Sequence, residues 1–509
     1  MSNSDTRVAR HYHQQTSHSL QSVLASRHTL DWDNQPIPYK IYSTLEPLPL
    51  PRDFTPSNVA ALDAIAATAQ PSGAERIPDL QTLARICYFA NGITRRLRVP
   101  GGEIAFRAAA CTGALFHIEL YLVCAELPGL AAGVYHYGAH DHGLRQLRSG
   151  DFRQALIQAT GAEPAISTAP VVVICTSTFW RNAWKYRARA YRHSFWDCGT
   201  ILANLLAVAT ASDLPARVVL GFADPPVNQL IDVDPQREAA ISLVALGHTM
   251  QPAPPAPPVV PLQLPTVPLS RAEVEYPLIQ MMHTASMLES GVAAASWRGA
   301  PPPIQHAPPA QPVIPLRPLD PAALPTDAIE TVIRRRGSSR RFARTSIMFD
   351  QLSTMLDRAT RGVPADYLDP TGPPLSDLYL IINAVDGLVP GAYLLHWAER
   401  ALELLKAGDF RAQAGLLALG QDLGADAAVN IYFLTDLEPV LARFGNRGYR
   451  AAQLAAAITA GKLYLAAYAL RLGATGLTFF DDEVTAFFSP HGAGKSVLFL
   501  IALGHPRRS

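Results

Sequence analysis

One interval constrains this chain more than any other feature: short segments of its first half recur 258 residues later. Glu119-Leu120-Tyr121-Leu122 resembles Asp377-Leu378-Tyr379-Leu380, and Gly133-Val134-Tyr135 resembles Gly391-Ala392-Tyr393. Gly150-Asp151-Phe152 recurs as Gly408-Asp409-Phe410, and Tyr191-Arg192 as Tyr449-Arg450 (449 − 191 = 258). Asp224 pairs with Asp482 in the same register, and Ala245-Leu246-Gly247-His248 with Ala502-Leu503-Gly504-His505 at 257. Chance does not hold one register over roughly a hundred residues, so the chain is expected to be a duplicated domain. The first copy is assigned to residues 1–250 and the second to 326–509, with a proline-rich linker over 251–325.

Each copy reads alike. A helix (80–91; 349–361) precedes an apolar strand (120–125; 378–384) and a Gly-turn hairpin strand. A second buried strand (169–176; 428–434), a long apolar helix (194–211; 451–470) and a closing strand (239–246; 497–503) follow. Helices and strands mix without strict βαβ alternation, which predicts an α+β fold. No GxGxxG follows the first strand, so a dinucleotide-binding fold finds no support. In the linker, prolines lack the N–H and fix φ, so most of it should be extended. Apolar residues at helical spacing (Val274, Ile279, Met282, Ala285, Met287, Leu288) predict one helix within 270–295, capped by Ser270 or beginning at Pro277.

Composition narrows the function classes. With 509 residues, 49% apolar and 17% charged, the chain can bury a large core in a soluble globular protein. A net charge of +1 provides no field to attract nucleic acid or an anionic membrane. The longest apolar helix, 451–470, carries Gln453, Thr459 and Lys462, so it reads as a core helix and not a membrane span. The N-terminus lacks the pattern of a secretory signal. Five cysteines without a CxxC predict a reduced, cytoplasmic protein without a disulfide framework or a metal knot, and no metal site is expected.

The sharpest local feature is Arg334-Arg335-Arg336-Gly337-Ser338-Ser339-Arg340-Arg341-Phe342. Guanidinium groups bind phosphate bidentately, and serine hydroxyls and loop N–H groups can complete the shell. A solvated basic helix face is the plainer reading of the same residues. Gly492-Ala493-Gly494-Lys495-Ser496 looks like the tail of a phosphate-binding loop, but its first glycine is missing and a surface turn is expected.

The segment Arg336-x-Ser338-x-Arg340-x-Phe342 resembles the FMN-phosphate motif of the nitroreductase superfamily. That family often places basic residues after its last strand, where this chain has Arg507 and Arg508. Ala110-Cys111-Thr112-Gly113-Ala114-Leu115-Phe116-His117-Ile118-Glu119 resembles the family's Pro-Ser-Ser/Ala-Gly-x-Leu-x-Pro-x-Glu segment, which lies along the isoalloxazine ring. Ala110 and His117 stand where the motif has proline. Trp184-Lys185-Tyr186 with Tyr191-Arg192 is similar to the Lys-Tyr motif of SagB-type azoline dehydrogenases, which oxidise thiazoline or oxazoline rings in peptides. Tyr12-His13 with Thr16, and Leu30-Asp31-Trp32, resemble entry segments of longer members.

This resemblance implies two nitroreductase-like domains fused as an intramolecular pseudo-dimer, able to act as a monomer. Family members are usually two-fold dimers with phosphate anchors from one subunit and ring contacts from the other. Here the second copy keeps the arginines, while the first has only Arg76 at that place and no arginine directly after His248. The first copy keeps the ring segment, whereas its counterpart around Leu368, Asp369, Pro370 and Thr371 does not match. One FMN per chain is therefore expected. Arg336, Ser338, Arg340, Arg507 and Arg508 would hold its phosphate, Cys111, Thr112 and Gly113 its ring. Lys185 and Tyr186 would be the catalytic pair; a surface lysine packing beside Trp184 is the plainer alternative for Lys185. His117 also reads as a satisfied core histidine, and Cys111 as a small buried hydrophobe. The implied activity is hydride transfer to or from a small-molecule or peptide-derived substrate, with NAD(P)H as co-substrate. An azoline dehydrogenase and a non-catalytic flavin-binding scaffold are the alternatives.

Overall fold

The computed structural model describes residues 2–507 except 27, 69–72, 101, 300–307 and 370–371. The strands of the first half are β1 (Leu48–Pro49), β2 (Ile93–Val99), β3 (Gly102–Arg107), β4 (Ile118–Cys124), β5 (Gly133–Gly138), β6 (Gly143–Ser149), β7 (Val171–Thr178), β8 (Ala216–Val219) and β9 (Glu238–Leu246). Those of the second are β10 (Val313–Pro315), β11 (Ile347–Met348), β12 (Asp377–Ile382), β13 (Val385–Asp386), β14 (Gly391–His396), β15 (Ala401–Ala407), β16 (Val429–Thr435), β17 (Gly473–Gly476) and β18 (Ser496–Gly504). Among the described residues each half forms one seven-stranded sheet, ordered β1-β6-β5-β4-β7-β9-β8 and β10-β15-β14-β12-β16-β18-β17. The two orders correspond strand for strand, and every pairing within them is antiparallel. The chain is thus α+β, with two copies of one topology. Among the described residues the hairpin β2–β3 has no counterpart in the second copy.

The central strands β4, β7 and β9 are buried at every residue. Helices cover both sheet faces, which is why these strands read as largely apolar and not as alternating. On one face of each sheet lies a long helix, Ala190–Ala211 in the first half and Asn446–Ala469 in the second. Both are buried nearly all round, and the second is rich in alanine, which loses no side-chain entropy in a helix.

The two long helices pack on each other through small residues. A Cβ placed on Gly199 would meet that of Ala457, and one on Gly461 would lie 2.6 Å from the Cβ of Ala203. Each pair joins equivalent positions of the two copies (457 − 199 = 258; 461 − 203 = 258). Buried ion pairs cross the same boundary in both directions. Arg447 and Arg450 reach Asp224 at 2.6 and 2.9 Å, and Arg189 and Arg192 reach Asp481 at 2.8 and 2.6 Å. The arginines keep the 258 interval, but Asp481, not Asp482, is the structural counterpart of Asp224 (481 − 224 = 257). The register slips because the turn after the long helix spans 212–215 in the first copy and only 470–472 in the second.

The 251–325 segment carries two helices, Pro277–Ala285 and Gly291–Trp297, where sequence spacing suggested one. Ser290 caps the second by accepting from the Ala293 N–H. The break between them serves the ion cluster: the Leu288 N–H donates to Asp224 and the Ser286 carbonyl accepts from Arg447. Trp297 packs its ring, tilted, against Phe444, and β10 joins the edge of the second sheet. The helical run Phe179–Ala211 is long and apolar enough to cross a membrane, but 89% of its apolar window is buried inside the protein.

Candidate functional site

The first copy's candidate ring segment follows β3. Between Arg107 and β4 the chain makes only a short turn, Thr112–Ala114. Three of its residues are left-handed: Gly113 at φ 64°, Ala114 at 54° and Phe116 at 47°. The first long helix ties this segment down. Asp197 accepts from the Thr112 N–H at 2.9 Å, Thr112 Oγ1 at 2.8 Å, Cys111 Sγ at 3.0 Å and His117 Nε2 at 2.9 Å. One turn on, Thr200 Oγ1 donates to the Ala110 carbonyl at 2.7 Å, and Asn204 Nδ2 donates to Ala108 and Phe89. Burial, followed by the Asp197 charge, pushes the Cys111 thiol well above its ordinary value, so it stays protonated.

Tyr186 ends the helix Phe179–Tyr186 and lies against Gly113, where an added Cβ would stand 2.8 Å from its hydroxyl. Burial, with Asp197 and Cys111 nearby, pushes the Tyr186 phenol up and keeps it a neutral donor. Its ring packs edge-on to His193 at 4.6 Å, and Lys185 Nζ sits 5.5 Å from the Tyr186 ring centre. Burial, then Arg189, keeps His193 neutral. Tyr186 of the predicted catalytic pair thus adjoins the predicted ring segment, while Lys185 packs on the Tyr186 ring. Cys111, His117 and Asp197 place their ligand atoms within 4.8 Å of one another, close enough to consider a metal ion. Their contacts are of hydrogen-bond length, and Asp197 also serves Thr112, so the cluster is a hydrogen-bonded one.

The arginine segment of the second copy begins where helix Ile329–Arg335 ends. The Ser339 N–H donates to Ala474, Ala343 to His505, and the Arg507 N–H to Arg341 at 3.1 Å. The post-β18 chain is thereby held beside the arginines. Arg508 lies outside the described residues. The arginines divide by task. Arg335 pairs with Asp327, and Arg334 stacks over Phe89. Arg336 crosses to the other copy, donating through Nε to the Ala108 carbonyl at 2.9 Å and through Nη2 to Arg107 at 3.1 Å. Its Nη1 and the Ser339 hydroxyl are buried without a hydrogen-bond partner. Burial pulls Arg336 below its ordinary value, the state of a guanidinium that gains from an anion. Ser338 Oγ is 3.3 Å from the Tyr464 hydroxyl. Arg340 and Arg507 are exposed, and among the described residues neither makes an ion pair.

The pseudo-symmetric place is built differently. Arg76 pairs through its backbone with His248, and its guanidinium is held by Asp213 at 2.7 Å. Asp366 of the second copy accepts from the Leu220 and Gly221 N–H groups at 2.9 and 2.8 Å. Burial raises Asp366 to about 6. Ala455 stands where Asp197 does in the first copy (197 + 258 = 455), and a cavity lined by Leu368, Trp397, Phe433 and Thr459 opens beside it. The cavity beside Asp197 is smaller and touches Asn91, Ala110, Cys111 and Phe116. Of the unmatched segment in the second copy, Pro370 and Thr371 lie outside the described residues.

Sequence reading missed Asp197, Thr200 and Asn204 as site residues. Their signal is a polar stripe at i, i+3 and i+7 in the stretch 195–209, which is otherwise apolar.

The model of the nitroreductase family matches residues 104–248 and 333–505, one match in each copy. The crystal structure of a protein from Anabaena variabilis described as a nitroreductase superposes with a TM-score of 0.76 at 27% identity, covering 98% of this chain and 99% of that one. The protein named nitroreductase MJ1384 of Methanocaldococcus jannaschii is 23% identical over 172 residues, 34% of this chain and 82% of that protein. The trifolitoxin-processing protein TfxB of Rhizobium leguminosarum bv. trifolii is 32% identical over 146 residues, 28% of this chain. That match spans 39% of the length of TfxB. With a matching domain in each of its two halves, the chain belongs to the nitroreductase family.

Proposed function

We propose that this protein is an FMN-dependent oxidoreductase with one flavin site at the boundary between its two copies. The observation that carries the reading is Arg336. It belongs to the second copy, binds the carbonyls of Arg107 and Ala108 just ahead of the first copy's ring segment, and keeps one buried N–H without a partner. A phosphate there would complete the shells of Arg336 and Ser339, with Ser338 beside it and Arg340 and Arg507 adding charge from the rim. Arg508 belongs to the same proposal.

When bound, FMN would supply hydride transfer. Cys111, Thr112 and Gly113 would bear on its ring. The neutral Tyr186 hydroxyl can donate a hydrogen bond to a substrate heteroatom, and Lys185 can deliver or take up a proton on that side. NAD(P)H is the proposed reductant in a nitroreductase-like cycle.

A second reading, oxidation of azoline rings in modified peptides, is favoured by the likeness to a trifolitoxin-processing protein together with Lys185-Tyr186. The visible spectrum of the purified protein, before and after reconstitution with FMN, tests the flavin. A colourless protein after reconstitution would leave the scaffold reading. Bleaching of the bound flavin by NADH or NADPH favours the first enzyme class, and bleaching by a thiazoline peptide the second.

A further inference from the structure

We propose that Asp197 and Thr200 are positioning residues for the flavin ring, which fix the 110–117 segment from one face of the first long helix. The inference rests on the flavin reading above and names what shapes that site. Ala114 and Phe116 are non-glycine residues at positive φ, a conformation an L-residue leaves unless its surroundings hold it. They sit in a loop with one short turn and no ladder bonds of its own. Among the described residues, seven side-chain hydrogen bonds from outside hold the 110–117 segment: four run to the Asp197 carboxylate and one from Thr200 to the Ala110 carbonyl, while Arg181 donates to the Phe116 carbonyl and Ser177 Oγ meets His117 Nδ1.

Two further observations assign this clamp to the site and not to general packing. First, it exists in one copy only. The positions equivalent to Asp197 and Thr200 are Ala455 and Ile458 (200 + 258 = 458), and that copy also lacks the ring segment. Second, the tethers fall on the positions where the resembling motif carries proline. Ala110 is held through its carbonyl and His117 through its ring. Proline restricts the backbone covalently, whereas here hydrogen bonds from a helix impose the restriction. Among the described residues neither the Ala110 nor the His117 N–H donates a backbone hydrogen bond, so proline would remove no donor in use.

The test uses the full chain with Asp197→Asn, Thr200→Val and Asp197→Asn combined with Ala110→Pro. FMN affinity is read by quenching of flavin fluorescence, and the midpoint potential of the bound flavin by redox titration. Amide hydrogen exchange over 108–116 is followed without flavin. We expect Asp197→Asn to weaken FMN at least about tenfold, shift the potential and speed exchange in 108–116 but not in β4 or β7. Thr200→Val should act in the same direction, and Ala110→Pro should restore most of the FMN affinity lost in Asp197→Asn. Native affinity, potential and exchange in Asp197→Asn would overturn the clamp while leaving the flavin reading intact. Loss of protection throughout the first copy, without rescue by Ala110→Pro, would make Asp197 a general stability residue and also overturn it. Failure of the unmodified protein to bind FMN would overturn the flavin reading, and the ring-positioning role with it.

Discussion

Gly199 and Ala457 hold the same place in the two copies and meet each other where the long helices cross. A Cβ on Gly199 would also lie 2.8 Å from the Ala457 carbonyl carbon and from the Ile458 nitrogen. Backbone atoms cannot rotate aside, so the helices would have to separate. Gly199→Ala is expected to destabilise the protein by about 1–3 kcal/mol, although alanine is the better helix former by about 1 kcal/mol. The urea midpoint measures it; an unchanged or higher midpoint would mean the close approach is not needed.

Asp481→Asn should leave Arg189 and Arg192 buried without a counter-charge. Breaking a buried pair from one side costs about 3–5 kcal/mol. Burial opposes ionisation of Asp481 and Asp224, but the arginines outweigh it and hold both carboxyls below their ordinary value. Because the folded-state value is depressed, the stabilisation is present above the unfolded value of about 3.9 and lost as pH falls below it. Thermal unfolding from pH 7 to pH 3 should show acid loss in the parent protein and a shallower loss in Asp481→Asn. Equal slopes would contradict the assignment.

Replacing Arg336 and Arg340 together by alanine should weaken FMN by two or more decades. Charge-assisted hydrogen bonds to an anion contribute roughly 1.5–3 kcal/mol each. Arg76→Ala is the comparison, since Asp213 holds that guanidinium on the opposite side. Flavin titration of the variants decides; a double variant with native affinity, or an equal loss in Arg76→Ala, would refute the cradle.

Flavin released by acid from the reconstituted protein should approach one per chain. In the second place the only arginine of the cradle region is committed to Asp213, and Asp366 occupies the Leu220 and Gly221 N–H groups. A reproducible ratio near two would show that place to be functional.

The duplication and the order of the main elements were legible in the sequence because each is local or periodic. A repeat survives as a fixed interval, and buried strands and helices as apolar runs. Leu80–Asn91 matches the expected helix residue for residue. The partners of the buried charges were not legible. That Asp224 answers to Arg447 and Arg450, and Asp481 to Arg189 and Arg192, follows only once the helices pack across the boundary. One residue fewer in a turn moved the counterpart of Asp224 from Asp482 to Asp481, a shift that side-by-side aspartates conceal. Asp197 is the one acid in the helix Ala190–Ala211. Its role depends on which loop that helix face meets, 80 or more residues away in the chain. Periodicity records that a side chain is buried, but a hydrogen bond or ion pair depends on distance and direction to one partner, and only the tertiary packing of the two copies sets those.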